Sequence, residues 1–223
     1  MIRDGLRNAT WWVADYTYAV VWQVRAFLSR TDPGDFASGA GTPIVVLPGI
    51  YETWRFMQPL ITELHGRGHP VHVIAALGRN RWPVPRAARH VTEYLQVHDL
   101  DDVVIVAHSK GGLVGKQVMA DADVGGRIRG MVAVASPFAG SLYGRLMLVP
   151  ALRAFSPDAP GIQALARELA PNERIVSVYG EFDPHIPGGS ELDGGRSVRL
   201  ETGGHFRILA HPRVIAEVVR LAE

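Results

Sequence analysis

The chain has 223 residues, 47% of them apolar, which is the length of one domain with material for a substantial core. A formal net charge of +1 gives no basic surplus of the kind that binds nucleic acid. With no cysteine, a disulfide framework and a thiolate metal site are both excluded.

Residues 1–42 read as an amino-terminal segment of their own. Apolar positions at 12, 13, 16, 20, 24, 27 and 28 recur near helical spacing and predict one amphipathic helix over 9–28. Asp15, Gln23 and Arg25 interrupt it, which argues against a membrane span and against the apolar centre of a signal peptide. A cytoplasmic or membrane-peripheral location is expected rather than secretion. Trp11, Trp12 and Trp22 are spread around this helix. One face is expected to cover the rest of the chain, leaving the other to meet lipid or a second copy of the chain. Residues 31–42, with three glycines and Pro33, read as a linker.

From residue 43 the pattern changes. Short apolar runs at 44–47, 71–76, 103–107, 131–135, 175–179 and 197–200 are bounded by Gly, Pro or Asp. Such runs suit strands buried on both faces of a parallel sheet. Helical spacing at 55–66, 86–97 and 111–121 alternates with them, and a last apolar helix is predicted over 213–221. The expected fold is α/β, a doubly wound, mostly parallel sheet of about six strands. Residues 137–171 break the alternation: Leu142, Leu146, Leu148 and Phe155 make the stretch apolar, while Pro150, Pro157 and Pro160 cut it into short helices. It reads either as a packing helix with a loop or as a lid forming an acyl-chain wall.

The segment Val106-Ala107-His108-Ser109-Lys110-Gly111-Gly112-Leu113 joins the third of these strands to a helical pattern. A serine on a sharp strand-to-helix turn, with small residues two before and two after it, is the setting of a nucleophile elbow. Here the chain resembles the α/β-hydrolase family, and within it the small bacterial lipases and esterases. The resemblance covers roughly residues 43 to 222. Ile44 to Ile50 is similar to the strand and oxyanion loop, Val178 to Pro187 to the strand and loop presenting the acid, and Thr202 to Phe206 to the histidine loop.

The resemblance implies a triad in the order Ser109, Asp183, His205, with Ser109 as nucleophile, His205 as base and Asp183 as its orienting partner. It also implies an oxyanion hole from the backbone N–H groups of Ile50 and Lys110. Glu181, Asp193 and Glu201 compete with Asp183 for the acid, and His185 is the rival base. Two departures stand out. Pro48 occupies the place of the family's oxyanion-loop histidine. Lysine follows the nucleophile, and its ammonium either sits near the acyl site or reaches solvent.

No His-Glu-x-x-His, Walker or G-x-G-x-x-G pattern is present, so neither a metal nor another cofactor is expected. The activity implied is hydrolysis of carboxylic esters, with a small-molecule ester or acyl-lipid substrate and an acyl chain longer than acetyl. An acyltransferase or thioesterase would use the same triad. A silent lipid-binding member of the fold would have been free to lose it.

Overall fold

A computed structural model describes residues 2–223, with side chains from residue 4 onward. Six strands form one sheet: β1 (Ile44–Leu47), β2 (Val71–Val73), β3 (Val103–His108), β4 (Ile128–Val134), β5 (Ile175–Phe182) and β6 (Arg196–Gly203). Their order is β2-β1-β3-β4-β5-β6 and every neighbouring pair is parallel. The chain starts at β1, steps outward to β2, then returns past β1 to β3. Strand order therefore reverses between β1 and β3, where the carboxyl ends of parallel strands open a crevice.

Strict burial on both faces produces the apolar runs. Ile44, Val46, Val104, Val106, Val132 and Val134 pack on one side of the sheet. Val45, Leu47, Ile105, Ala107, Met131 and Ala133 pack on the other. The helices are α2 (Gln58–Gly66), α3 (Val84–Val97), α4 (Lys110–Met119), α5 (Pro150–Arg153), α6 (Pro160–Arg167) and α7 (Pro212–Ala222). α2 and α7 cover the first face, and α3, α4 and α6 the second. Proline stands in the first turn of α2, α3, α5, α6 and α7, where its missing N–H costs nothing and its fixed φ suits the helix.

Several strand boundaries differ from the sequence reading. β2 stops at Val73, and Ala75–Leu77 turns into a 3-10 helix ending at Gly78 with φ +54°. β2 pairs only with β1, so a short edge strand suffices. β5 and β6 run further than expected because each pairs along the other's full length.

The amino-terminal helix, α1, spans Ile2–Leu28 rather than starting at residue 9. The face it docks is not the apolar stripe that predicted it. Asp15 and Ala19 are buried, and Tyr18 and Trp22 pack against the core. Val13, Val20, Val24 and Phe27 point away, Phe27 being 80% exposed. α1 touches β6, the turn at Trp54–Met57 and the turn at Arg207–Ala210. No helix among the described residues is long and apolar enough to cross a membrane.

Docking large aromatic side chains is worth roughly 1.5–3 kcal/mol each when fully buried, a sizeable part of a domain's total stability of about 5–15 kcal/mol. Deleting residues 1–30 is therefore expected to lower the melting temperature by more than 10 °C or prevent folding. Circular dichroism melts of the full and truncated chains check this. Coincident melts would mark α1 as a dispensable appendage.

Candidate active site

The site starts with backbone sterics. β3 is fully buried and ends at His108, and Ser109 takes φ +50° and ψ −119° before α4 begins. A non-glycine residue there is strained, and it persists only where its surroundings over-determine it. They do so here. The Ser109 N–H donates to the Val134 carbonyl at 2.8 Å. A side chain at Gly111 would run into the Leu47 carbonyl, and one at Gly112 into Ser136. The small residues of the motif let α4 lie directly on β1 and β4.

The structure brings Ser109, Asp183 and His205 together. His205 Nε2 lies 3.0 Å from Ser109 Oγ, and His205 Nδ1 lies 2.8 Å from Asp183 Oδ2. With Asp183 ionised, Nδ1–H donates to it, leaving Nε2 to accept from the serine hydroxyl. Asp183 Oδ1 accepts from the N–H groups of His185 at 2.7 Å and Ile186 at 3.0 Å. Burial works against the Asp183 charge, but the His205 charge and hydrogen bond, with these two amides, hold its pKa below the usual range. Burial likewise works against a charged His205. The Asp183 charge and hydrogen bond, with Glu52 and Asp15 behind them, outweigh it and the pKa moves up.

The rival acids sit elsewhere, and the rival base is engaged by another partner. Glu181, Asp193 and Glu201 are exposed, and Glu181 faces Arg7 at 3.7 Å. His185 lines the cleft, but its Nε2 is hydrogen-bonded to the Tyr16 hydroxyl at 3.0 Å. Burial, then the neighbouring His205, push its pKa down to about 4.

Sequence reasoning missed the buried polar network under these three residues. Glu52 Oε2 accepts from the Gly49 N–H at 2.8 Å and lies 2.8 Å from His108 Nδ1. His108 Nε2 lies 3.0 Å from the His205 carbonyl oxygen. Both ring nitrogens of His108 thus face acceptors, one on Glu52 and one on the histidine loop. The network links the loop after β1, the end of β3 and the histidine loop. Its signals in the sequence are slight: a glutamate three residues after Gly49 and a histidine directly before Ser109.

Lys110 follows neither course that the sequence left open. Its side chain is buried, and Nζ donates to the carbonyls of Asn80, at 2.6 Å, and Trp82. Asn80 Nδ2 in turn donates to the Pro48 carbonyl at 2.6 Å. The lysine thereby ties α4 through Asn80 to the loop after β1, and burial brings its pKa down to about 8. Its backbone N–H stands at the first position of α4, where no intrahelical carbonyl accepts it. Ile50 borders the cleft beside Ser109, while the neighbouring Gly49 amide is already engaged by Glu52.

The cleft over Ser109 encloses about 510 Å³. Tyr143, Met147, Leu152 and Phe155 from the 137–171 segment form one wall, and Tyr16 and Gln23 of α1 another. That segment is the expected set of short helical turns, with Leu146 and Leu148 largely exposed. Phe155 also borders a second, mostly apolar cavity of about 540 Å³ between α4, α6 and the start of α3. Among the described residues no group of three or more His, Asp or Glu side chains is arranged to hold a metal ion.

Neither a protein-family model nor a curated protein sequence matches the chain. Solved structures do. MGS-MChE2, an α/β-hydrolase enzyme from the metagenome of lagoon sediments at Mar Chica, Morocco, superposes with a TM-score of 0.58 at 16% identity, covering 82% of this chain and 90% of that one. A monoacylglycerol lipase from Paleococcus ferrophilus gives 0.58 at 17%, covering 82% and 96%. The enol-lactonase of Burkholderia xenovorans gives 0.55 at 12%, covering 82% and 92%. With its parallel six-stranded sheet, the elbow at Ser109 and these superpositions, the chain has the α/β-hydrolase fold.

Proposed function

We propose that the chain is a serine hydrolase cleaving carboxylic esters through an acyl-enzyme. The observation that carries this is the unbroken hydrogen-bonded line from Asp183 through His205 to Ser109 at the floor of an open, apolar-walled cleft. A serine hydroxyl is a weak nucleophile at neutral pH and needs a base held in the right tautomer. His205 takes the Ser109 proton as Oγ attacks the ester carbonyl, and Asp183 stabilises the imidazolium that forms. The tetrahedral oxyanion is received by the N–H groups of Ile50 and Lys110, each such donor being worth roughly 3 kcal/mol in the transition state. The positive end of α4 favours negative charge at the same place. His205 then protonates the leaving alcohol, and a water it activates releases the acid.

The substrate is an ester whose acyl part is apolar and longer than acetyl. Met147, Leu152 and Phe155 support this by presenting apolar surface to the cleft. The monoacylglycerol lipase among the structural neighbours fits the same reading. Peripheral contact with lipid, or self-association, through the outer face of α1 belongs to this proposal too. Val20, Val24 and Phe27 lie exposed on the helix whose inner residues Tyr16 and Gln23 border the cleft.

A fluorophosphonate is expected to add one adduct, located by mass spectrometry on the peptide carrying Ser109, and Ser109→Ala is expected to be inactive. Labelling at another residue, or esterase activity surviving in Ser109→Ala, would overturn the mechanism.

Because His205 must be neutral to act as base and its pKa is raised, kcat/KM is expected to rise with pH through a midpoint above 6.5. Asp183→Asn removes both the raising charge and the correct tautomer. It should lower kcat by about 10⁴-fold while the protein stays folded. A near-wild-type Asp183→Asn would show that another group orients the base.

Across p-nitrophenyl esters of increasing length, kcat/KM is expected to climb from acetate. Each buried methylene is worth about 0.8 kcal/mol, or a few-fold in rate. A profile that is flat or falls from acetate onward would exclude the apolar wall as an acyl site.

A further inference from the structure

We infer that Asp15 of α1 is a positioning residue for His205, holding the histidine loop in register with Ser109; the inference rests on the proposed hydrolase chemistry. Asp15 is fully buried on a helix that the sequence reading set apart from the catalytic fold. Its Oδ2 accepts from the His205 N–H at 2.9 Å, and its Oδ1 accepts from the N–H groups of Phe206 and Arg207, each at 2.8 Å. Among the described residues these three amides are its hydrogen-bond partners. A buried carboxylate is expensive unless its lone pairs are satisfied. Here the satisfaction comes from the turn that carries the proposed base.

The two glycines before His205 are the space into which α1 fits. A side chain on Gly204, whose φ is +124°, would put Cβ 2.5 Å from Asp15 Oδ1. A side chain on Gly203 would put Cβ 2.5 Å from the Trp11 ring. Arg207 closes the turn by donating from Nε to the Gly203 carbonyl at 2.7 Å. The His205 peptide is thus held at both ends, its N–H by Asp15 and its carbonyl by His108. Asp183 then fixes the ring. Small displacements of a reacting group are costly: a misplacement of about 1 Å can lower the rate by about 10²-fold.

Asp15 also contributes charge. The ionisable groups facing His205 are Asp183 and His185 from the loop after β5, Glu52 from the loop after β1, His108 from β3, and Asp15 from α1. Asp15 is one of three carboxylates favouring the imidazolium that forms during turnover. A purely structural staple would not have that effect.

Asp15→Asn keeps one acceptor oxygen and replaces the other with an amide that faces a backbone N–H. The folded variant is expected to lose about 10- to 100-fold in kcat on p-nitrophenyl butyrate, with KM within about twofold. The acid limb of kcat/KM should shift to lower pH. The titration of the His205 ring, followed by NMR and assigned by the signal missing in His205→Gln, should shift the same way. Asp15→Glu retains the charge but displaces the carboxylate, so it should lose kcat while keeping the wild-type acid limb and titration. A folded Asp15→Asn with unchanged kcat, limb and titration overturns the inference. So does loss of a cooperative melt in both variants, which would make Asp15 a folding residue only. The NMR titration needs no substrate. A wild-type protein inactive on esters would therefore defeat the hydrolase reading while the placement of His205 by Asp15 was still decided.

Discussion

Three loops meet at the carboxyl edge of the sheet, and each carries backbone amides and carbonyls that lie out of reach of water. Satisfying those groups is the constraint on which the rest of the site depends. Glu52 accepts from the loop after β1, and His108 passes the connection to the carbonyl of the histidine loop. On the other side, Lys110 and Asn80 tie α4 back to Pro48. The loops therefore do not settle independently. The carboxylates and cations buried here are tolerable only as members of a fully connected set, since a half-satisfied polar network costs more than an apolar one.

Much of the fold was legible because parallel strands covered on both faces must be apolar at successive positions, and β1, β3 and β4 are buried along almost their whole length. The elbow was legible for a steric reason, since Gly111 and Gly112 leave α4 room against β1 and β4. Edge geometry was less so: whether the residues after Val73 continue a strand or enter a 3-10 turn depends on what pairs beside them. Ser109, Asp183 and His205 were named from a resemblance to a family pattern, and their side chains do come within hydrogen-bond distance. The roles of Glu52, His108, Asn80 and the Lys110 side chain could not be read in that way, because much of what they bond is main chain of distant loops. Backbone partners leave no mark on residue identity.

The amino-terminal helix shows the limit of periodicity. Its helical character was readable, but the orientation was not. The face it buries contains Asp15, Ala19 and part of Trp22, while Val13, Val20 and Val24 look outward. Apolar spacing favours the second set, whereas the amides at 205–207 and the packing of Tyr18 and Trp22 on the core make the first preferable. An aspartate in an aromatic stretch serves to rule out a membrane span. Read as a carboxylate in need of donors, it also marks the docking point.

The contact between α1 and the histidine loop spans 190 residues of sequence. Loop-closure entropy grows only slowly with such separations, so the equilibrium cost of the contact is modest. Its consequence lies in time. The helix leaves the ribosome some 190 residues before its acceptor turn. Until that turn is made, the Asp15 carboxylate lacks the three amides that it bonds in the folded chain. The strands from β1 to β5 can pair before that docking, whereas the geometry around His205 is completed only when α1 closes on the turn after β6.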